Sequence, residues 1–155
     1  MRILVVSDTH SDVYNFERVL EKHRDIDVII HCGDGADDVL KMKQIYANKM
    51  FVSVRGNCDW CCESPNLETV TLEGKKIFVT HGHIYDVKNS LLRLSFAAKE
   101  AGADLVLFGH THIPCDVYED GVYFLNPGSL RGYKGSYALV DLSEKGVLTN
   151  LVSID

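Results

Sequence analysis

The chain has 155 residues, 46% of them hydrophobic, enough for one domain over residues 1–155 with a sizeable apolar core. A formal net charge of −6 argues against bulk nucleic-acid binding or attraction to anionic lipid, and leaves room only for a local anion site. No export signal and no bilayer-length apolar run is visible, so a cytoplasmic, non-membrane protein is expected, its odd set of five cysteines held as reduced thiols.

Taken in chain order, the run Ile3-Leu4-Val5-Val6 reads as a short strand buried on both faces. Ser11 or Asp12 can N-cap a helix that places Val13, Phe16, Val19 and Leu20 on one face. Strands follow at 28–30 and 51–54, with a helix over about 36–46 between them. Further strands are predicted at 77–79 and 105–108, separated by a helix capped by Asn89 and running toward Gly102. Glu73-Gly74-Lys75, Glu119-Asp120-Gly121 and Glu144-Lys145-Gly146 read as hairpin turns, and from residue 114 the pattern becomes alternating strands. This order implies an α/β domain with two mixed sheets packed face to face and helices outside.

Polar residues collect where these strands end, which is where open α/β sheets place ligand sites. The strand ends carry Ser7-Asp8-Thr9-His10, His31-Cys32-Gly33-Asp34, Arg55-Gly56-Asn57-Cys58-Asp59, Thr80-His81-Gly82-His83 and Gly109-His110-Thr111-His112. Each lies beside a small residue that allows close approach of backbone and ligand. Asp and Asn oxygens with His nitrogens suit first-row divalent ions, and seven candidate ligands suit two ions sharing a carboxylate.

Singly, each motif has a structural reading: Asp8 or Asp34 as a helix cap, His81 as a satisfied core histidine, and Gly33, Gly56 and Gly109 as turn residues. His23 and His31 fall outside the pattern and read as structural. Asn126-Pro127-Gly128-Ser129 reads as a turn alone. The C-x-x-C pair Cys58 and Cys61 lacks the helix start or second cysteine pair that a redox or zinc site requires.

In order, Asp8-x-His10, Gly33-Asp34-x-x-Asp37, Gly56-Asn57-Cys58-Asp59, His81 and Gly109-His110-x-His112 resemble the signature of the calcineurin-like metallophosphoesterases. Length and tail resemble the small prokaryotic phosphodiesterases of that superfamily, relatives of the retromer scaffold subunit. The resemblance implies a four-layer αββα sandwich and a phosphodiesterase using two divalent ions, manganese first, with nickel, iron or zinc fitting the same donors. One ion would be held by Asp8, His10, Asp34 and His112, the other by Asp34, Asn57, His81 and His110, with a shared hydroxide attacking a small phosphoester in line. Asn57 and His110 would steady phosphate oxygens, Asp59 or His83 would supply a proton, and Arg131 would be a further substrate contact. Many members carry His where this chain has Cys58, a weak donor for a leaving oxygen. The rival reading is a non-catalytic, protein-binding scaffold like the retromer subunit, and a homo-oligomer is left open.

Overall fold

A computed structural model describes all 155 residues. Ten strands form two five-stranded mixed sheets. In the first, β10 (Gly146–Ser153), β9 (Ser136–Ser143), β1 (Arg2–Val6), β2 (Val28–His31) and β3 (Met50–Ser53) lie side by side in that order. The second runs β4 (Leu67–Leu72), β5 (Lys75–Thr80), β6 (Leu105–Leu107), β8 (Val122–Asn126), β7 (Cys115–Glu119). Within them β1, β2 and β3 are parallel, as are β5, β6 and β8, so their C-terminal ends point the same way in each sheet.

The continuous apolar strand runs follow from burial on both faces. Ile3 and Val5 of β1 enter the core between the sheets, while Leu4 and Val6 turn outward under the helices α1 (Val13–Lys22) and α2 (Ala36–Ile45). In the second sheet Ile77, Val79, Leu105 and Leu107 face the central core. Phe78 and Val106 pack instead with Leu94 and Ala98 of the third helix, α3 (Leu92–Ala101). The result is the expected αββα order of layers.

The local signals mostly act as read. Asp12 Oδ1 accepts the Asn15 N–H at 3.1 Å and starts α1, and Gly102 closes α3 in the left-handed conformation. Two tight hairpins turn on residues of positive φ, Glu73-Gly74 and Asp120-Gly121. Asn89 differs from expectation: its amide donates to Asp86 Oδ1 at 2.7 Å, tying off the single 3₁₀ turn His83–Tyr85, and α3 begins only at Leu92 with no side-chain cap. The Asn89 side chain is turned to the 3₁₀ turn, and no side chain caps α3. No helix is long and apolar enough to cross a membrane.

Phe78 is 2% exposed and joins β5 to α3. Phe78→Ala is expected to lower stability by about 3–5 kcal/mol, read as a lower urea midpoint at unchanged slope.

Candidate metal centre

The C-terminal ends of β1, β2 and β3 meet those of β5 and β6, and five loops converge there. Backbone bonds stitch them together: Asp8 N–H donates to the Gly33 carbonyl, His10 N–H to Asp34, and Gly109 N–H to His81. Of the seven residues expected as ligands, Asp8, His10, Asp34, His110 and His112 all have positive φ, between 44° and 70°. For non-glycine residues that conformation is costly and clusters at functional sites.

The side chains form three triads whose ligand atoms lie within 4.8 Å of one another: Asp8, His10 and His112; Asp8, Asp34 and His81; and His10, Asp34 and Cys58. In the first, His112 Nε2 is 3.1 Å and His10 Nε2 3.6 Å from Asp8 Oδ1, and the two imidazole nitrogens are 3.2 Å apart. Donors to one first-row ion at about 2.1 Å stand roughly 3 Å from each other, which is the spacing here. Asp8 Oδ1 is fully buried yet accepts no hydrogen bond, whereas Oδ2 accepts from Ser7 Oγ at 2.6 Å and the His110 N–H at 3.1 Å. A buried carboxylate oxygen left free among imidazole nitrogens suits a cation.

His81 donates Nδ1–H to the Cys32 carbonyl at 2.7 Å, which turns Nε2 toward Asn57 Oδ1 at 3.0 Å and Asp34 Oδ2 at 3.3 Å. Such carbonyl anchoring commonly fixes the ring of a metal-binding histidine. Burial pushes the His81 pKa down, but the Asp34 and Asp8 carboxylates outweigh it and the net shift is upward, so this pocket draws positive charge. The Asp34 carboxyl is resisted by its own burial yet held below the usual range by His81 and the Cys58 N–H. Its Oδ2 is 3.3 Å from His81 Nε2 and 3.8 Å from His10 Nε2.

His110 belongs to none of the triads. Its ring packs edge-on to His81 with centroids 5.0 Å apart, and burial, with the neighbouring His81 and Lys88 charges, lowers its pKa to about 4. Asn57 and Cys58 are exposed at the mouth. Burial and Asp34 raise the Cys58 thiol pKa, favouring the protonated sulfur. His83 is half-buried with its ring 5.4 Å from His81. The guanidinium of Arg131 is exposed and forms no hydrogen bond or ion pair, its place fixed through its backbone N–H to Ser129 Oγ. Beside the triads lies a cavity of about 340 Å³ lined in part by His10, Asp34, Cys58 and Trp60.

Asp59, expected as a proton source, faces inward. Its Oδ2 accepts the N–H groups of Asp34 and Gly56, and its Oδ1 those of Gly35 and Ala36, all at 2.8–3.0 Å. It therefore caps α2 from another loop and holds the Asp34 backbone, a positioning task. Gly56 is required beside it, because a Cβ there would lie 2.0 Å from Asp34 Oδ1. The Asn126-Pro127-Gly128-Ser129 segment likewise does more than turn the chain. Asn126 Nδ2 donates to the Gly109 carbonyl and Thr111 Oγ1, and Ser129 Oγ donates to the Asp8 carbonyl.

His31 is structural, as read, and belongs to a chain that sequence reasoning missed. Gly33 N–H donates to Nδ1, so Nε2 carries the proton and donates to Thr9 Oγ1, which donates to Asp38 Oδ2 at 2.6 Å. Burial lowers the His31 pKa to about 4, against the pull of Asp8, Asp59 and Asp38. Asp38, buried on α2, also accepts the Ser11 N–H, whereas Asp37 of the motif is exposed.

A domain described as the calcineurin-like phosphoesterase superfamily domain matches residues 1–145, and the chain belongs to that family of metallophosphoesterases and phosphodiesterases. It is 34% identical over 132 residues to "Probable metallophosphoesterase YsnB" of Bacillus subtilis, covering 84% of this chain and 76% of that one. It is 29% identical to phosphodiesterase YfcE of Escherichia coli, covering 91% and 88%. A Streptococcus pneumoniae structure, named as a "predicted phosphoesterase", superposes with a TM-score of 0.84 at 29% identity, covering 99% of this chain and 90% of that one. Vps29 of Entamoeba histolytica, at 20% identity and a TM-score of 0.78 over the whole of both chains, shares the fold.

Two outcomes are expected from the supporting residues. Asp59→Ala leaves four backbone N–H groups without their acceptor and should lower the stability of the metal-free protein by about 2–3 kcal/mol in urea denaturation. Nitrogen NMR of His31 should show protonated Nε2 and bare Nδ1 from neutral pH down to about 5. The unfolded ring takes up a proton below about 6.5. The stability this neutrality contributes is therefore complete above that pH and is lost as pH falls through the folded value of about 4.

Proposed function

We propose that this chain is a dinuclear metal-dependent phosphodiesterase: one cytoplasmic domain acting on small phosphoesters. The observation that carries the reading is Asp34 Oδ2, a single carboxylate oxygen within 3.3 Å of His81 Nε2 and 3.8 Å of His10 Nε2, so that one acid serves both groups of donors. Asp8, His10, Asp34 and His112 would hold one ion, and Asp34, Asn57, His81 and His110 the other. Manganese is the expected metal, with nickel, iron and zinc compatible with the same N and O donors. Two such ions would neutralise phosphoryl oxygens and acidify the water that attacks phosphorus in line.

The chain's own groups supply orientation and proton control. The Cys32 carbonyl fixes the His81 ring, while Ser7 and the His110 N–H fix Asp8. Asn57 and the neutral His110 imidazole would steady phosphoryl oxygens. Arg131 is available to approach the substrate from outside. With Asp59 engaged by backbone N–H groups, His83 is the remaining candidate for proton delivery, and Cys58 gives a leaving oxygen little help.

Asp34→Ala should reduce bound metal at both positions and abolish turnover of activated phosphodiesters, whereas His112→Ala should spare one ion. Elemental analysis of the purified variants decides this. Retention of two ions by Asp34→Ala would overturn the bridging role. Cys58→His should raise kcat/KM on esters with poor leaving groups by about 10- to 100-fold more than on activated ones. The measurement is the dependence of rate on leaving-group pKa at matched metal content, and an unchanged dependence would remove Cys58 as the limiting feature.

A further inference from the structure

The loop between β3 and β4 that carries Asn57 and Cys58 also carries Trp60, the only tryptophan in the chain, which is 82% exposed. An indole is seldom so open to water unless it serves a surface that is covered on binding. Trp60 lines the same 340 Å³ cavity as His10, Asp34 and Cys58, so it forms a wall of the space a phosphoester would enter at the proposed centre. Its position is fixed from below: the adjacent Asp59 is 9% exposed and anchored by four backbone N–H groups, and Arg55 Nε donates to the Asp59 carbonyl at 3.1 Å. The backbone next to the indole is thus anchored through Asp59.

The chemistry of the rest of the cavity selects the occupant. Apart from Trp60, its apolar lining is limited to Ala36 and Cys58, which is too little to receive an alkyl chain or a docking peptide face. A single flat aromatic wall in polar surroundings suits a heteroaromatic ring, which stacks on one face and keeps its polar edges in water. Asp37 lies on the same cavity, exposed and without a hydrogen-bond partner, and offers an acceptor for sugar hydroxyls. This is the motif carboxylate that the metal assignment leaves unused.

We infer that the alcohol portion of the substrate is a nucleoside, its base stacked on Trp60 while the phosphate sits at the Asp8/Asp34 centre. The inference rests on the phosphodiesterase reading and names the substrate class of that same site. Because Trp60 is the only indole, its fluorescence reports occupancy of this wall directly. Manganese-supplemented protein titrated with adenosine monophosphate should show saturable quenching and bind it, by calorimetry, about 5- to 100-fold more tightly than ribose 5-phosphate, which lacks the base. Trp60→Ala should bring the ratio of the two affinities close to one, and Trp60→Phe should restore most of it. Equal affinities for the two ligands in the native protein, or binding of neither, would overturn the inference, as would a ratio that survives in Trp60→Ala. Manganese-dependent turnover of an activated aryl diester alongside equal affinities would sink the nucleoside assignment alone. Absence of that turnover would instead count against the phosphodiesterase reading.

Discussion

Two buried carboxylates at the meeting edge of two sheets set the terms for everything around them. Asp8 is completely buried and Asp34 is 4% exposed, with their oxygens and His81 Nε2 all within 4.8 Å. Two ionised carboxylates at that separation repel by roughly 3–4 kcal/mol at an effective dielectric near 20. The imidazole of His10 on the Asp8 loop, those of His81 and His112 from two further loops, and the backbone N–H groups of Cys58 and His110 surround the pair with positive or donor groups. One oxygen of Asp8 still accepts no hydrogen bond. A divalent cation completes what the protein groups leave open.

The same residues are held in backbone conformations that L-amino acids resist. Five left-handed residues at about 1–2 kcal/mol each approach the whole net stability of an ordinary domain. They persist because each loop is determined several times over. Asp59 fixes the Asp34 loop with three hydrogen bonds and its own loop with a fourth, Asn126 fixes the Gly109 loop, Ser129 and Ser7 fix Asp8, and the His31–Thr9–Asp38 chain ties β1 to β2 and α2. The strands beneath contribute their apolar residues to cores on both faces, so the loop bases have little freedom to relax.

What could be read in advance follows from range. Strand runs such as Ile3–Val6, the Asp12 cap and the Asp120-Gly121 turn are local, and the residues expected as ligands stand out because their types repeat at successive strand ends. The supports were not legible because their partners are far away in sequence. Asp59 acts 23 to 25 residues upstream, Asn126 reaches back 15 and 17, and Ser129 reaches back 121. Asn126 and Asp59 look like a turn residue and a motif acid until the second sheet edge and α2 are placed against them. Asn89 failed in the opposite way, where a local cap signal lost to a local competitor, Asp86.

Sharing a sandwich with Vps29 establishes the fold and not the activity, since one fold supports many functions. The energetics of this chain point to cation binding at the strand ends. The apolar core and the strand pairing gain nothing from two acids buried side by side, a buried carboxylate oxygen that accepts no hydrogen bond, or five residues strained into the left-handed region. Each feature lowers stability, and each would be relieved by small substitutions such as Asp8→Asn or glycine at His110. Their coincidence at one mouth, beside a cavity large enough for a small ester, is accounted for when a multivalent cation binds there and the strained loops hold its ligands ready.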